Sequence, residues 1–329
     1  MIPHVSVIVI AFRQRDALRD CLLSIERAGV EVPGDIELIV VDNGELAQLV
    51  HECVPAARLI EPKRNLGFAG GACRGIAAAR GEWVALVNDD ATLAPDALAR
   101  LLRTGESNPQ VGAVAAQVRF AAKPEVINSA GIEVDSLGVA SERLAGRPVA
   151  LASERREVFG ASGCVALYRA SMLAQVGGFD ERFFAYQEDV DLAWRARAAG
   201  WSAIYEPRAI AHHQGSASSG EGSATKYFLV GRNRVRLLAR NATARQLALR
   251  WPAILLYDIA YVTYAALGSR SLAALRGRLA GLREWRALRR EGRDWRREVA
   301  LSSAWSGWQA ALRQHLAYRA ATSPRDRAG

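Results

Sequence analysis

The chain has 329 residues, 50% of them apolar and 23% charged, with a net charge of +9 at pH 7. That length and composition suit a folded protein with a sizeable core, as one large domain or a domain with an appendage. Cys21, Cys53, Cys73 and Cys164 are spread without any C-x-x-C pair, which excludes a cysteine zinc site and reads as a reducing compartment.

Met1 to His4 carries no basic region, so Val5 to Ala11 reads as a first strand and not as a signal peptide. Leucines and Ile25 at helical spacing predict a helix from Arg15 to Ala28, closed by Gly29. Ile36 to Val41 is a second apolar strand ending in Asp42-Asn43-Gly44, and Arg58-Leu59-Ile60 is a shorter one. A glycine-rich turn then runs into an alanine-rich helix ending at Arg80. Trp83 to Val87 is another buried strand, and it stops abruptly at Asn88-Asp89-Asp90. Pro95 starts a helix to Glu106, and Val111 to Val118 returns as a strand. Continuous apolar strands alternating with helices predict an α/β fold with a mostly parallel, doubly wound sheet. Phe120 to Glu157, with scattered Gly and Pro, is expected to cross the surface and build part of a site wall. Val158 to Arg169 brings back an apolar strand, Gly177 to Asp180 a turn, and Glu188 to Ala199 a helix with Val190, Trp194 and Ala198 on one face. Trp201 to Tyr205 reads as a short strand and Ala211 to Gly220 as a flexible loop.

Past Lys226 the composition changes: 21 basic residues face 6 acidic ones. A boundary is therefore expected between a catalytic domain over 1–225 and a helical basic region over 226–329. Such asymmetry suggests an anionic partner, nucleic acid or an anionic membrane face. Trp251 to Gly268 is an apolar stretch containing Asp258, with Pro252 at its start. It is marginal for a bilayer span and reads as re-entrant or interfacial. Trp285, Trp295, Trp305 and Trp308 among arginines suit an amphipathic helix in a headgroup layer. The competing reading is a helical hairpin capping the catalytic domain. Asn241-Ala242-Thr243 matches a glycosylation sequon, discounted for want of an export signal.

Four features carry chemistry. Asp89 and Asp90, at the carboxyl end of a strand, repel each other. A hard divalent cation gripping substrate phosphates would stabilise them, although a strand-to-helix turn would need the same residues. Asp42 is placed to accept hydrogen bonds from a nucleobase or ribose, or to cap its own turn. Arg64-Asn65-Leu66-Gly67 allows close approach of phosphate to a helix start, or is a packed turn. Glu188, Asp189 and Asp191 open a helix behind the aromatic run Phe183 to Tyr186, whose dry wall would raise a carboxylate toward a useful general base. His213 is either a metal ligand or structural.

Taken in order, Val41-Asp42-Asn43, Asn65-Leu66-Gly67-Phe68-Ala69, Asn88-Asp89-Asp90, Gly177-Gly178-Phe179-Asp180-Glu181, Glu188-Asp189-x-Asp191-Leu192-x-x-Arg195, Gly200-Trp201 and His213-x-Gly215-Ser216-x-Ser218 resemble family 2 glycosyltransferases. The resemblance covers about residues 3 to 240 and is closest to rhamnosyltransferase-like and galactofuranosyltransferase-like members. It implies a GT-A fold and an inverting transfer, to which the basic tail adds an expected C-terminal membrane-associating extension. The sugar would pass from a nucleotide-diphospho-sugar to a hydroxyl of a lipid-linked or surface glycan. By the same resemblance Asp42 contacts the nucleotide base and Asp89 lies near the donor ribose or sugar. Arg64, Asn65, Gly67 and Arg195 belong to the donor site. Asp90 ligates Mg2+ or Mn2+ with His213, His212 being the competing choice, and Asp189 is the general base. The chain would sit in the cytoplasm, peripheral on the inner face of the plasma membrane. Asn88 departs from the Asp that often begins the metal motif, and Cys73 from the Asn often found in the glycine-rich helix.

A nucleotidyltransferase would need glycines right after the first strand, where Phe12-Arg13-Gln14-Arg15 stands. A silent membrane-associated nucleotide-sugar-binding protein is the competing non-enzyme reading. A nucleic-acid binder using the basic tail predicts salt-sensitive binding.

Overall fold

Alternating side chains of the first strand decide the architecture. Val5, Val7 and Val9 face one buried layer while Ile8 and Ile10 face another, so the strand is apolar throughout because both faces of the sheet are covered. The computed structural model describes residues 3–214 and 223–321. β1 (Val5–Ala11), α1 (Arg15–Gly29), β2 (Ile36–Asp42), α2 (Ala47–Cys53), β3 (Arg58–Ile60), α3 (Gly67–Ala78) and β4 (Trp83–Asn88) form the first half. Their strands are all parallel, in the order β4-β1-β2-β3, so Ala11, Asp42 and Asn88 end at one edge.

β5 (Ala91–Leu93), α4 (Ala97–Glu106) and β6 (Val111–Phe120) follow. The segment expected to be irregular folds into four strands: β7 (Lys123–Ser129), β8 (Ile132–Val134), β9 (Ala140–Glu142) and β10 (Arg156–Val158). Then come β11 (Val165–Arg169), α5 (Ala170–Val176), α6 (Glu188–Ala198) and β12 (Ser202–His213). The full order is β10-β12-β6-β11-β4-β1-β2-β3.

This corrects the expectation of a mostly parallel sheet. β11 lies antiparallel between β4 and β6, so the sheet is mixed. The cause is where the chain re-enters. The turn before β11 sits at the carboxyl edge, where the Asn88 amide donates to the Cys164 carbonyl at 2.8 Å, so the strand must run backward. A second correction concerns the histidines. β12 continues through His212 and His213, which are on a strand and not in a flexible loop. Gly215, Ser216 and Ser218, part of the same sequence motif, lie outside the described residues.

The tail forms α7 (Ala224–Asn241), α8 (Ala244–Ser269), α9 (Ala273–Glu291) and α10 (Ala304–Ala321). α8 begins at the Thr243 cap, whose hydroxyl accepts from the Gln246 amide at 3.0 Å, so Pro252 lies inside the helix and not at its start. α7 and α9 pack backbone to backbone: a methyl group on Gly277 would stand 2.1 Å from the Phe228 carbonyl oxygen. Asp258, on the apolar helix, is neutralised from two sides, by Arg234 Nε at 2.7 Å and Arg278 Nη2 at 2.7 Å. It therefore ties α8 to α7 and α9. Among the described residues no helix is long and apolar enough to cross a membrane.

Asp258→Ala leaves two buried guanidinium groups without their shared carboxylate. An unpaired buried charge of this kind costs about 3 kcal/mol. The expected outcome is a lower midpoint of denaturant unfolding with the tail helices opening first, read by hydrogen exchange. An unchanged midpoint would show that Asp258 is not the tie.

Candidate functional site

The carboxyl edge of the parallel strands gathers acids that sheet geometry alone would leave unpaired. Asp42 is buried at the end of β2, and its oxygens accept from the Gly44 amide at 2.8 Å and the Leu46 amide at 2.5 Å. It thus caps the turn into α2, and each oxygen keeps a lone pair. Next to it Asn43 clasps the glycine-rich turn in both directions, giving Nδ2 to the Gly67 carbonyl at 3.2 Å and accepting from the Leu66 amide at 3.2 Å. The Asn65 side chain closes the turn on the Gly67 amide at 2.8 Å. Gly67 has φ +69, and a methyl group there would stand 2.3 Å from the Phe184 carbonyl oxygen, so only glycine fits. Arg64 and Asn65 are exposed beside it.

Asp89 is buried at the end of β4 and accepts from the Phe12 amide at 2.7 Å. Burial, reinforced by neighbouring Asp90, pushes its carboxyl up to about 7. Asp90 leads into β5, which pairs antiparallel with the end of β12, Ala91 opposite His213. That register brings Asp90 Oδ1 within 3.1 Å of His213 Nε2, and the Gln214 amide donates to the Asp90 carbonyl at 3.0 Å. On the other side of the ring, His213 Nδ1 meets Asn128 Oδ1 at 3.0 Å. In the charged imidazole Nδ1–H donates to Asn128 and Nε2–H to Asp90. Burial works against a charged His213, but Cys164 and Asp90 outweigh it and hold the imidazole well above its ordinary value. The Cys164 thiol is itself pushed up by burial, so the charge it faces comes from Asp90. His212 alternates to the opposite side of β12, where burial and Arg119 lower its pKa.

The structure does not place Arg195 at this edge, which corrects its assignment to the donor site. Its guanidinium, 1% exposed, is spent on Asp191 at 2.8 Å, the Gly178 carbonyl at 2.7 Å and the Val176 carbonyl. It locks α6 to the preceding turn, and its burial keeps it from a ligand.

Asp189 stands one residue into α6. Its Oδ2 accepts from the Gly163 amide at 2.9 Å and its Oδ1 from the Val190 amide at 2.8 Å, while burial raises its pKa. Adjacent Glu188 is buried, and burial and then Asp189 raise it well above the carboxylate range. The loop before them is strained. Phe184, Tyr186 and Gln187 all have positive φ, 65°, 71° and 68°. Such backbone costs about 1–3 kcal/mol per residue and persists only where the surroundings enforce it. The Ala69 amide takes the Phe184 carbonyl at 3.0 Å, joining this loop to the glycine-rich turn.

Sequence reasoning missed Glu142 on β9. Ser129 and Ser162 hydroxyls hold its two oxygens at 2.5 and 3.0 Å, and burial followed by Asp189 pushes it up to about 7. Nothing in its local sequence marks it, because the hairpins that bring it to Asp189 are tertiary. Asn128 was missed for the same reason.

A divalent ion fits the Asp90–His213 pair chemically. A carboxylate and an imidazole 3.1 Å apart match two adjacent ligands of an ion bound at about 2.1 Å. Among the described residues no cluster of three or more His, Cys, Asp or Glu could hold a metal ion.

Comparisons with known proteins agree with this geometry. The N-acetylglucosaminyl-diphospho-decaprenol L-rhamnosyltransferase of Mycobacterium tuberculosis is 31% identical over 217 residues, covering 58% of this chain and 70% of that protein. The poly-beta-1,6-N-acetyl-D-glucosamine synthase of Staphylococcus epidermidis is 24% identical, over 64% of this chain and 49% of that one. In fold, a mannosyltransferase from Pyrobaculum calidifontis in complex with GDP-Man and Mn2+ superimposes with a TM-score of 0.52 at 19% identity, over 90% of this chain and 85% of that one. A second structure, holding UDP, GalNAc and Mn2+, gives 0.58 at 12% identity, over 96% and 58%. The profile of glycosyl transferase family 2 matches residues 6–177, more than half of the chain. The chain belongs to glycosyl transferase family 2, as a rhamnosyltransferase-like glycosyltransferase of GT-A-like fold.

Proposed function

We propose that the chain moves a sugar, rhamnose before others, from a nucleotide-diphospho-sugar to a hydroxyl of a lipid-linked or surface glycan, with inversion at the anomeric carbon. The observation that carries this reading is the meeting of Asp90 and His213 at 3.1 Å on the sheet edge that also presents Asp42 and Asp89. The rhamnosyltransferase relative, whose name gives a diphospho-decaprenol-linked acceptor, supports the sugar and the acceptor class.

In this reading Asp42 receives the nucleobase with its remaining lone pairs, and Arg64, Asn65 and Gly67 border the donor. Asp89 faces the ribose or sugar. Asp90 and His213 hold Mg2+ or Mn2+, the latter present in both superimposed structures. When bound, the ion supplies positive charge that stabilises the departing nucleoside diphosphate. Asp189 accepts the proton of the acceptor hydroxyl as that oxygen bonds to the anomeric carbon and the bond to the diphosphate breaks. Two amide donors fix its orientation, and burial raises its affinity for the proton.

In this reading the tail brings the reaction to a membrane. Leu272, Leu275, Leu279 and Leu282 form one exposed stripe, and Trp305, Trp308, Leu312 and Leu316 another, each at helical spacing. Among the described residues, the exposed large apolar side chains outside the tail helices are Val30 and Leu151. Exposed Arg276, Arg283 and Arg286 lie beside the first stripe. An apolar stripe edged by arginine suits the headgroup layer of an anionic membrane, on the cytoplasmic face where nucleotide sugars are.

Release of nucleoside diphosphate from dTDP-rhamnose, UDP-galactofuranose, UDP-hexoses and GDP-mannose, with Mg2+, Mn2+ or EDTA, tests the donor and the metal together. Asp189→Asn is expected to lower turnover by at least about 10²-fold with donor binding retained; near-normal turnover would reject the base. Because a base works deprotonated and this carboxyl is raised, kcat/KM should fall with decreasing pH at an inflection above the ordinary aspartate range near 3.9. Asp90→Ala should abolish the dependence of donor binding on Mn2+ in calorimetry, and an unchanged dependence would reject Asp90 as a ligand. Leu275→Ser with Leu279→Ser and Leu282→Ser should release the protein from phosphatidylglycerol vesicles in sedimentation. Equal binding by this variant would remove the stripe from the membrane reading.

A further inference from the structure

Asn233 on α7 is wholly buried, yet it touches none of the groups assigned to donor, metal or base. Its Nδ2 donates to three carbonyls of one loop, Phe183 at 3.0 Å, Ala185 at 2.8 Å and Tyr186 at 2.7 Å. Its Oδ1 accepts from Arg232 Nε at 3.1 Å, which fixes which end of the amide faces the loop. An amide nitrogen has two hydrogens, so three acceptors share them. Flanking arginines finish the grip. Arg232 Nη2 reaches the Phe183 carbonyl at 2.8 Å, and Arg236 reaches the Arg182 carbonyl.

The gripped loop has no strand partner, and it contains the three positive-φ residues that precede Glu188 and Asp189. Buried carbonyls outside regular structure need donors. Left to itself, this backbone would relax toward negative φ and carry the start of α6 with it. Asp42, Asp89, Asp90 and His213 lie at the ends of other strands, and the loop's tie to the glycine-rich turn runs through the Phe184 carbonyl, which Ala69 and not Asn233 holds.

We propose that Asn233 is a positioning residue for sugar transfer: by holding the carbonyls of Phe183, Ala185 and Tyr186 it fixes the left-handed turn from which Asp189 projects. The proposal rests on the reading of Asp189 as the base and adds the device that aims it. A side chain that merely filled space would affect stability and donor binding alike. A positioning role separates the base from the donor site.

The test uses the full-length chain with Asn233→Ala, and with Asn233→Ser, which keeps one donor should the alanine variant fail to fold. Hydrogen–deuterium exchange is read first, without donor. Faster exchange confined to residues 183–190, with β1 and β4 unchanged, is expected. Unchanged exchange over 183–190 in a folded variant overturns the proposal, whatever becomes of the enzymatic reading. On the donor identified by nucleoside diphosphate release, kcat of Asn233→Ala should fall on the order of 10²-fold, the usual loss for a reacting group displaced by about 1 Å. The donor dissociation constant should stay within about threefold. Adding Gln187→Gly, which takes a φ of 68° without steric cost, should return about tenfold of the lost kcat. Equal losses of kcat and donor affinity, or no recovery with Gln187→Gly, overturn the proposal. Full turnover in Asp189→Asn would reject the base itself and the catalytic half of this inference, leaving the exchange result as a separate finding.

Discussion

A carboxylate removed from water must be given a partner, and this constraint shapes the whole catalytic half of the molecule. Each acid at the sheet edge meets it differently. Asp42 takes two backbone amides, Asp89 takes one, Asp90 takes a histidine, and Asp189 takes two amides from separate segments. Those differences sort the acids chemically. Asp42 is held by its own turn through one amide on each oxygen and stays a fixed acceptor with a lone pair to spare. Asp89 has a single amide against its burial, which is why its carboxyl rises to about 7. Asp90 is paired with a histidine, so a cation entering between them would have to displace the imidazole proton. Asp191 has no such freedom, because Arg195 and Asn241 close it off completely.

The tail divides its arginines between two uses. Composition alone presents them as a single reservoir of charge waiting for an anion. In the fold, Arg234 and Arg278 are consumed by Asp258, Arg236 by Glu284 and a loop carbonyl, Arg240 by Asp180, and Arg289 by the carbonyls that end α7. These are internal ties that make the tail a wall of the site. Among those left outside, Arg276, Arg283 and Arg286 accompany the exposed leucine stripe of α9. Both readings of the tail, a cap on the catalytic domain and an amphipathic surface, are therefore compatible in one set of helices, inner face and outer face.

What the sequence made legible follows the range of the interactions involved. β1, β2 and β4 could be read because burial on both faces writes a continuous apolar run, and Asp42, Asp89 and Asp90 because an acid ending such a run is a local contrast. The direction of β11 could not be read, since it depends on where the chain re-enters the sheet and not on side chains within the strand. His212 and His213 were obscured by the glycine and serine run behind them. It outweighed the alternation of apolar Ala209 and Ala211 that marks a strand. The spacing of Asp191 and Arg195, four apart on a helix, already signalled an internal ion pair. Glu142 and Asn128 carried no signal, because the hairpins that bring them to Asp189 and His213 are held by contacts across the fold.

The backbone around the base shows how the two halves depend on each other. The turn at Phe184, Tyr186 and Gln187 is unfavourable for the residues that occupy it, and no local hydrogen-bond ladder compensates. Its carbonyls are satisfied from two directions, by Ala69 at the head of the glycine-rich helix and by Asn233 with its arginine neighbours on α7. The strain is thus offset by elements that are remote in sequence. The loop that leads to Asp189 is tied both to the glycine-rich turn and to the tail helix. A loop supported on one side alone could swing with the donor turn or with the tail. Held between them, it sets the start of α6, where Asp189 stands.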